Sequence, residues 1–207
     1  MNSAVAVERL ILAIYWLSPY AWIDALLARF EKRGDIDRWR SRRYLASELY
    51  IALWLLGALL LWLGNGGLVA WLIWPALLRV VGILTKELGV ILFGRCKVTP
   101  GRMVAATGRT IVLALENYFT AALLMAFVYT QAGVFDGAPA TADAQLGTGA
   151  ALIQSLSIQF ALTPAFTPVD LLSWSLVIFH AGFAFLFSLI VISLFVSLLK
   201  IGSADQE

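Results

Sequence analysis

Four stretches of this chain are apolar over lengths that match the thickness of a bilayer. Residues 45–64 are apolar except for Ser47 and Glu48, and residues 68–85 carry a single charge, Arg79. Residues 110–133 carry one acid, Glu116, and residues 171–199 carry no charge, only His180. A spanning helix needs about 20 predominantly apolar residues. The chain is 61% hydrophobic and 14% charged, where a soluble domain holds roughly a quarter charged residues. A water-facing surface cannot be made from this composition, so the bilayer is the expected solvent. Eight Trp and six Tyr suit the headgroup level, where amphipathic rings concentrate.

The basic residues set the orientation. Arg29, Lys32, Arg33, Arg38, Arg40, Arg42 and Arg43 precede the first of these stretches. Arg95, Lys97, Arg102 and Arg109 lie between the second and third, and Lys200 follows the last. No Lys or Arg occurs between Arg109 and Lys200, an interval that holds Asp136, Asp143 and Asp170. The positive-inside rule puts the basic loops and the C-terminus in the cytoplasm and the acidic linker outside. Residues 64–67, Gly-Asn-Gly-Gly, are expected to close the first two spans into a hairpin, because glycine both breaks a helix and accepts positive φ.

The N-terminal stretch, residues 10–28, leaves two readings open. Pro19 kinks a helix and Asp24 is costly at depth, which favours a helix lying in the interface; the other reading is a fifth span. A cleaved signal peptide is not expected, since Glu8 and Arg9 open the segment and Pro19, Trp22 and Asp24 interrupt its core. No internal repeat is evident. The expected organisation is an interfacial and basic segment (1–44), a helical hairpin (45–94), a basic cytoplasmic connection (95–109), a C-terminal membrane module (110–200) and a short tail (201–207). The fold class is therefore an all-α integral membrane protein of four transmembrane helices, or five, with a re-entrant segment between the last two.

That segment carries the most information. Residues 133–149 are rich in Gly, Ala, Thr and Asp, as an exposed turn is. Residues 150–160, AALIQSLSIQF, hold no Gly, Pro or charge and predict a helix of about three turns. Residues 161–170, ALTPAFTPVD, cannot continue it, because Pro164 and Pro168 forbid helix there. Non-helical backbone at membrane depth is tolerated only where protein or a cavity surrounds it, which implies an oligomer around an axis.

In this order of elements the chain resembles the two-helix pore module of tetrameric potassium channels, over roughly residues 109–200. SLSIQFALTPAFTPVD resembles that family's pore helix and filter, which reads like S-x-x-T-x-T-T-V-G-Y-G-D-x-x-P. Ser155 and Pro168 anchor the alignment, and LALENYFTAALLMAFVY resembles the outer helix of bacterial members. The resemblance implies a homotetramer in a bacterial cytoplasmic membrane, with a pore-like stretch at Ser157, Gln159, Phe160, Ala161, Leu162, Thr163 and Pro164, and an inner-helix hinge at Gly182. FALTP falls where the family has TVGYG. It contains no glycine: Leu162 and Pro164 stand at the two Gly positions and Phe160 at the Thr. Glycine permits the backbone that aims carbonyls at the axis, so potassium selectivity by that route is not expected. Either a wider, less selective pore or a plug of Phe160, Leu162 and Phe166 fits.

Asp136, Asp143 and Asp170 would ring the outer mouth and attract cations. His180 has two readings: an acid-responsive group facing the axis, or a neutral imidazole bonded to a neighbouring helix. Glu116 is expected either to pair with Arg79 or Lys86 or to snorkel to the interface. Arg79 and Lys86 stand seven residues apart, unlike the dense ladder of a voltage sensor. Cys96 is a lone thiol with no partner for a disulfide or metal. Nothing resembles a phosphate loop, a metal cluster or a hydrolytic triad, so neither catalysis, nor a cofactor, nor nucleic acid is expected. Two functions remain: a trigger-gated or weakly selective cation pore, and a non-conducting membrane sensor whose basic loops dock a cytoplasmic protein.

Overall fold

The computed structural model of the chain describes residues 3–31, 36–64, 67–93, 103–137 and 145–204. They form seven α-helices: α1 (Ser3–Tyr15), α2 (Pro19–Glu31), α3 (Ile36–Leu63), α4 (Ile73–Phe93), α5 (Met103–Ala132), α6 (Thr148–Gln159) and α7 (Leu171–Ala204). Two short strands, β1 (Phe135–Asp136) and β2 (Thr167–Pro168), pair antiparallel beside the C-terminal end of α5. Among the described residues three helical segments are long and apolar enough to cross a membrane: Ser41–Leu63, Ile111–Ala132 and Leu171–Ser193.

The second apolar stretch departs from expectation. It divides into a 3-10 segment, Gly67–Leu72, and α4, with Pro75 in the first turn, where no helical N–H is lost. α4, which carries Arg79, Lys86 and Glu87, is not among these three segments. Helix boundaries also run past the apolar limits. α3 begins at Ile36 and α5 at Met103, because no proline or glycine interrupts residues 36–44 and charged side chains are good helix formers. The connection expected at 95–109 is therefore partly helix, and residues 94–102, with Cys96, lie outside the described residues.

The N-terminal stretch is two helices with a sharp bend between them, where the sequence suggests a single one. α1 and α2 meet at 93° across residues 16–18, with Pro19 as the first residue of α2, a position its fixed φ favours. α2 runs back along α3: Tyr20 lies on Tyr50, Arg43 donates to Asp24 at 2.8 Å, and Phe30 stacks on Trp39. α1 packs on α4, and Ser18 at the bend sits over Gly82, where an added Cβ would lie 3.7 Å away.

α5 is the central helix, in contact with α3, α4, α6 and α7. Its residues 121, 122 and 124–129 are buried. The alanines among them let neighbouring backbones come close; Ser155 Oγ reaches the Ala122 carbonyl at 2.6 Å. Arg109 of α5 meets Glu48 of α3 at 2.6 Å, tying the two helices at the end of the bundle opposite β1 and β2.

α6 runs antiparallel to α5. Its first residue is held by Trp62, whose indole donates to the Thr148 carbonyl at 2.9 Å near the end of α3. Ser155 meets Ala122, and Gln159, a turn further, meets Tyr118. From Ala132 to Tyr118 α5 rises about 21 Å, so the C-terminal end of α6 lies well inside the bundle. Residues 160–166 then return without helix. About seven extended residues cover ~23 Å, enough to bring Thr167 and Pro168 back to Asp136 and Phe135. The expected helix at 150–160 and the non-helical run after it are both present; the β1–β2 pairing that closes the return was not anticipated.

Candidate functional site

The residues that the sequence singles out meet where α6 ends. The helix stops in a Schellman motif: Ala161 N–H donates to the Ile158 carbonyl at 3.0 Å and Leu162 N–H to the Ser157 carbonyl at 2.8 Å. This geometry requires a left-handed residue at the position after the cap, and Ala161 occupies it with φ 54°. Glycine usually sits there; alanine costs about 1 kcal/mol or more. The positive φ therefore falls at Ala161, one residue before Leu162, where the alignment had placed the need for glycine.

Phe160, Ala161, Leu162, Thr163, Pro164 and Ala165 are all exposed. Their carbonyls take no hydrogen bond from the rest of the chain among the described residues. The exposed turn lies over a groove of about 370 Å³ between α6 and α7, lined by Gln159, Leu162, Pro164, Ala181, Phe185 and Ser188 among others. Ser157 points along its own helix and bonds the Ile153 carbonyl at 2.8 Å.

Buried amides hold both ends of the run. Gln154 is fully buried and forms a reciprocal pair with the Phe166 backbone: Phe166 N–H donates to its Oε1 at 2.7 Å and its Nε2 donates to the Phe166 carbonyl at 3.1 Å. Gln159 Nε2 donates to the Tyr118 carbonyl at 3.1 Å, and the Tyr118 hydroxyl donates to the Gln159 carbonyl. Gln159 Oε1 meets His180 Nε2, and His180 Nδ1 lies 3.0 Å from the Tyr129 hydroxyl. In the neutral ring one proton arrangement satisfies every atom: Nε2–H donates to Gln159, and Tyr129 donates to Nδ1. His180 is buried against α5 and α6, with both nitrogens engaged inside the chain. It does not lie on the exposed stripe of α7.

Asp170 and Asp136 stand at the other end of the return. Asp170 caps α7, its Oδ1 accepting from Ser173 N–H at 2.9 Å, and these bonds from Ser173 hold its carboxyl below the usual range. Ser173 Oγ in turn accepts from Val134 N–H at 2.7 Å, which stitches the start of α7 to the end of α5. Asp136 is exposed and bonds the Gly137 amide at 2.8 Å. Asp143 lies outside the described residues. Gly182 is exposed on α7, which passes through it as one helix, and a Cβ there would meet nothing.

The buried cation on α4 takes a different partner from the one expected. Arg79 Nη2 donates to Asn117 Oδ1 at 2.9 Å, and Asn117 Nδ2 lies 3.4 Å from Glu87 Oε1. The guanidinium also lies 4.8 Å from the Tyr50 ring and 5.5 Å from that of Trp54. Glu116 makes no ion pair with Arg79 or Lys86 among the described residues: one residue is a 100° turn of helix, and Asn117 is the one aimed at α4. Lys86 sits over the Tyr20 ring at 5.1 Å. Sequence reading missed Gln154, Tyr118, Tyr129, Asn117 and Glu87. The signal for Gln154 was an amide in an otherwise apolar helix, since buried polar groups are retained where they are bonded.

Among the described residues no His, Cys, Asp and Glu cluster is placed to hold a metal ion. The chain matches no protein-family profile, no curated protein and no solved structure, so the functional argument rests on its own geometry.

Proposed function

We propose that the chain is a channel-like membrane subunit whose α5, α6, return segment and α7 assemble with copies of themselves around an axis as a homotetramer. The observation that carries this reading is the run of exposed carbonyls of residues 160–165 at the inner end of α6, which take no hydrogen bond among the described residues and lie between two helices long enough to span a membrane. Unpaired backbone cannot face lipid, so the chain needs either other copies or a water-filled path against it. Carbonyls grouped at an axis are a cation-coordinating surface, and Asp136 and Asp170 at the mouth attract cations towards it. With glycine absent from residues 160–164, the path is weakly selective or opens on a trigger. The basic ends of α3 and α5 face the cytoplasm of a bacterial inner membrane on this reading.

A second reading has its own observation. Phe160 and Leu162 are exposed at the same turn, and copies of them meeting at an axis form a hydrophobic plug. The subunit would then be a non-conducting sensor or anchor that docks a soluble cytoplasmic protein at its basic loops. Ion flux into liposomes of purified protein separates the two. Potassium, sodium and chloride are compared in wild type, Leu162→Gly and Asp170→Asn. Cation flux reduced by Asp170→Asn supports the pore. No flux in wild type or Leu162→Gly supports the anchor.

A further inference from the structure

Residues 160–166 are an exposed turn, yet both ends are fixed by buried side chains. Gln154 holds the backbone of Phe166 by two bonds, and Gln159 is held from opposite sides by Tyr118 and His180. A buried hydrogen bond to an otherwise unpaired group is expensive to break. The two glutamines lie five residues apart on α6, and each spends all of the bonding capacity used here on backbone or on His180. His180 touches none of the exposed carbonyls. It reaches them only through Gln159, and it is itself aimed by Tyr129.

We propose that Gln154, Gln159 and His180 form a frame that sets the spacing of the exposed carbonyls of residues 160–165, and so determines which cations the path accepts, with His180 acting as a positioning residue. This rests on the pore reading for its consequence, but the frame itself can be tested without conduction. In an axial assembly the ion meets the carbonyls, and a bonded frame restricts their positions where a free turn would drift. Gln154→Glu keeps shape and volume but replaces the donor to the Phe166 carbonyl with a second oxygen. His180→Leu removes the bond to Gln159 Oε1. His180→Gln restores it, because an amide both donates to Gln159 and accepts from Tyr129.

The experiment places a reporter cysteine at Thr163 in a Cys96→Ser background and measures its labelling rate by a membrane-impermeant maleimide in proteoliposomes, with the potassium-to-sodium permeability ratio alongside. Gln154→Glu and His180→Leu should each change the labelling rate by about two- to tenfold, the span of one lost hydrogen bond, and shift the ratio. His180→Gln should return both to the parent values, and Ser175→Ala, on the exposed face of α7, should leave both unchanged. A merely structural loss would lower the amount of folded protein without moving the ratio per folded channel. If Gln154→Glu does not extract as the parent oligomer, Gln159→Glu takes its place. Unchanged labelling and unchanged ratio in folded frame variants overturn the proposal. Altered labelling in a protein that carries no ions keeps the frame and refutes the pore reading instead.

Discussion

Arg79 and Asn117 should behave as a coupled unit. The guanidinium is only 6% exposed and donates to Asn117 Oδ1 at 2.9 Å, with its Nε unpaired. Asn117→Leu leaves a buried charge without that acceptor, supported by the Tyr50 and Trp54 rings and the field of Glu87. Losing a buried hydrogen bond to a charged group costs about 1.5–3 kcal/mol, and the ring contacts, already present in the parent, do not offset it. Arg79→Met removes the charge and leaves an unpaired amide oxygen, a cost of about 1–3 kcal/mol. The double variant leaves neither a buried guanidinium without its acceptor nor an orphaned Asn117 oxygen. It still takes from the Glu87 carboxyl its Asn117 donor, so it is not neutral, but it escapes the penalties that each single change incurs for the partner left behind. The singles therefore sum to about 2.5–6 kcal/mol, while the double costs less than their sum by about 0.5–3 kcal/mol. Unfolding of the purified protein in mixed micelles, followed by tryptophan fluorescence against denaturing detergent, measures all four corners of the cycle. Single costs that add within ~0.5 kcal/mol, or an Asn117→Leu cost below ~1 kcal/mol, would refute the reasoning.

Ala161→Gly should stabilise by up to about 1 kcal/mol, since relief of the left-handed strain outweighs the added freedom of the unfolded chain, whereas Ala161→Val should destabilise by more; detergent melting midpoints decide it. Gly133→Ala should cost about 1–3 kcal/mol, because the new Cβ would lie 2.3 Å from the buried Phe135 ring, which packs edge-on against Tyr129; a cost near zero would mean that the ring moves freely. Asp170 has a depressed folded pKa, so its cap strengthens α7 above the ordinary carboxyl range and is lost as the pH falls through and below it. Hydrogen exchange of the Ser173 amide should accelerate, relative to neighbouring amides, on acidification in wild type, and Asp170→Asn should abolish that dependence.

Sequence alone determined that the chain is helical and where its three long apolar helices lie, because apolar runs of that length are local facts that a bilayer-thick helix must satisfy; it did not determine where those helices begin. It also placed a helix at residues 150–160, found at 148–159, and none in the segment with Pro164 and Pro168, because proline removes a donor and restricts the residue before it. What it could not determine was azimuth. α7 is apolar on every side, so no periodicity told that His180 would turn inward between three helices while Gly182 faced out. On α5, Glu116 and Asn117 are adjacent in the chain but a third of a turn apart around the helix, and only the position of α4 decided which of them meets Arg79. The bend between α1 and α2 and the pairing of β1 with β2 likewise depend on surfaces distant in sequence. Gln154 belongs to the same class: an amide in an apolar helix is visible in the sequence, but the backbone it holds, twelve residues on, is set by how the return segment folds back against α6.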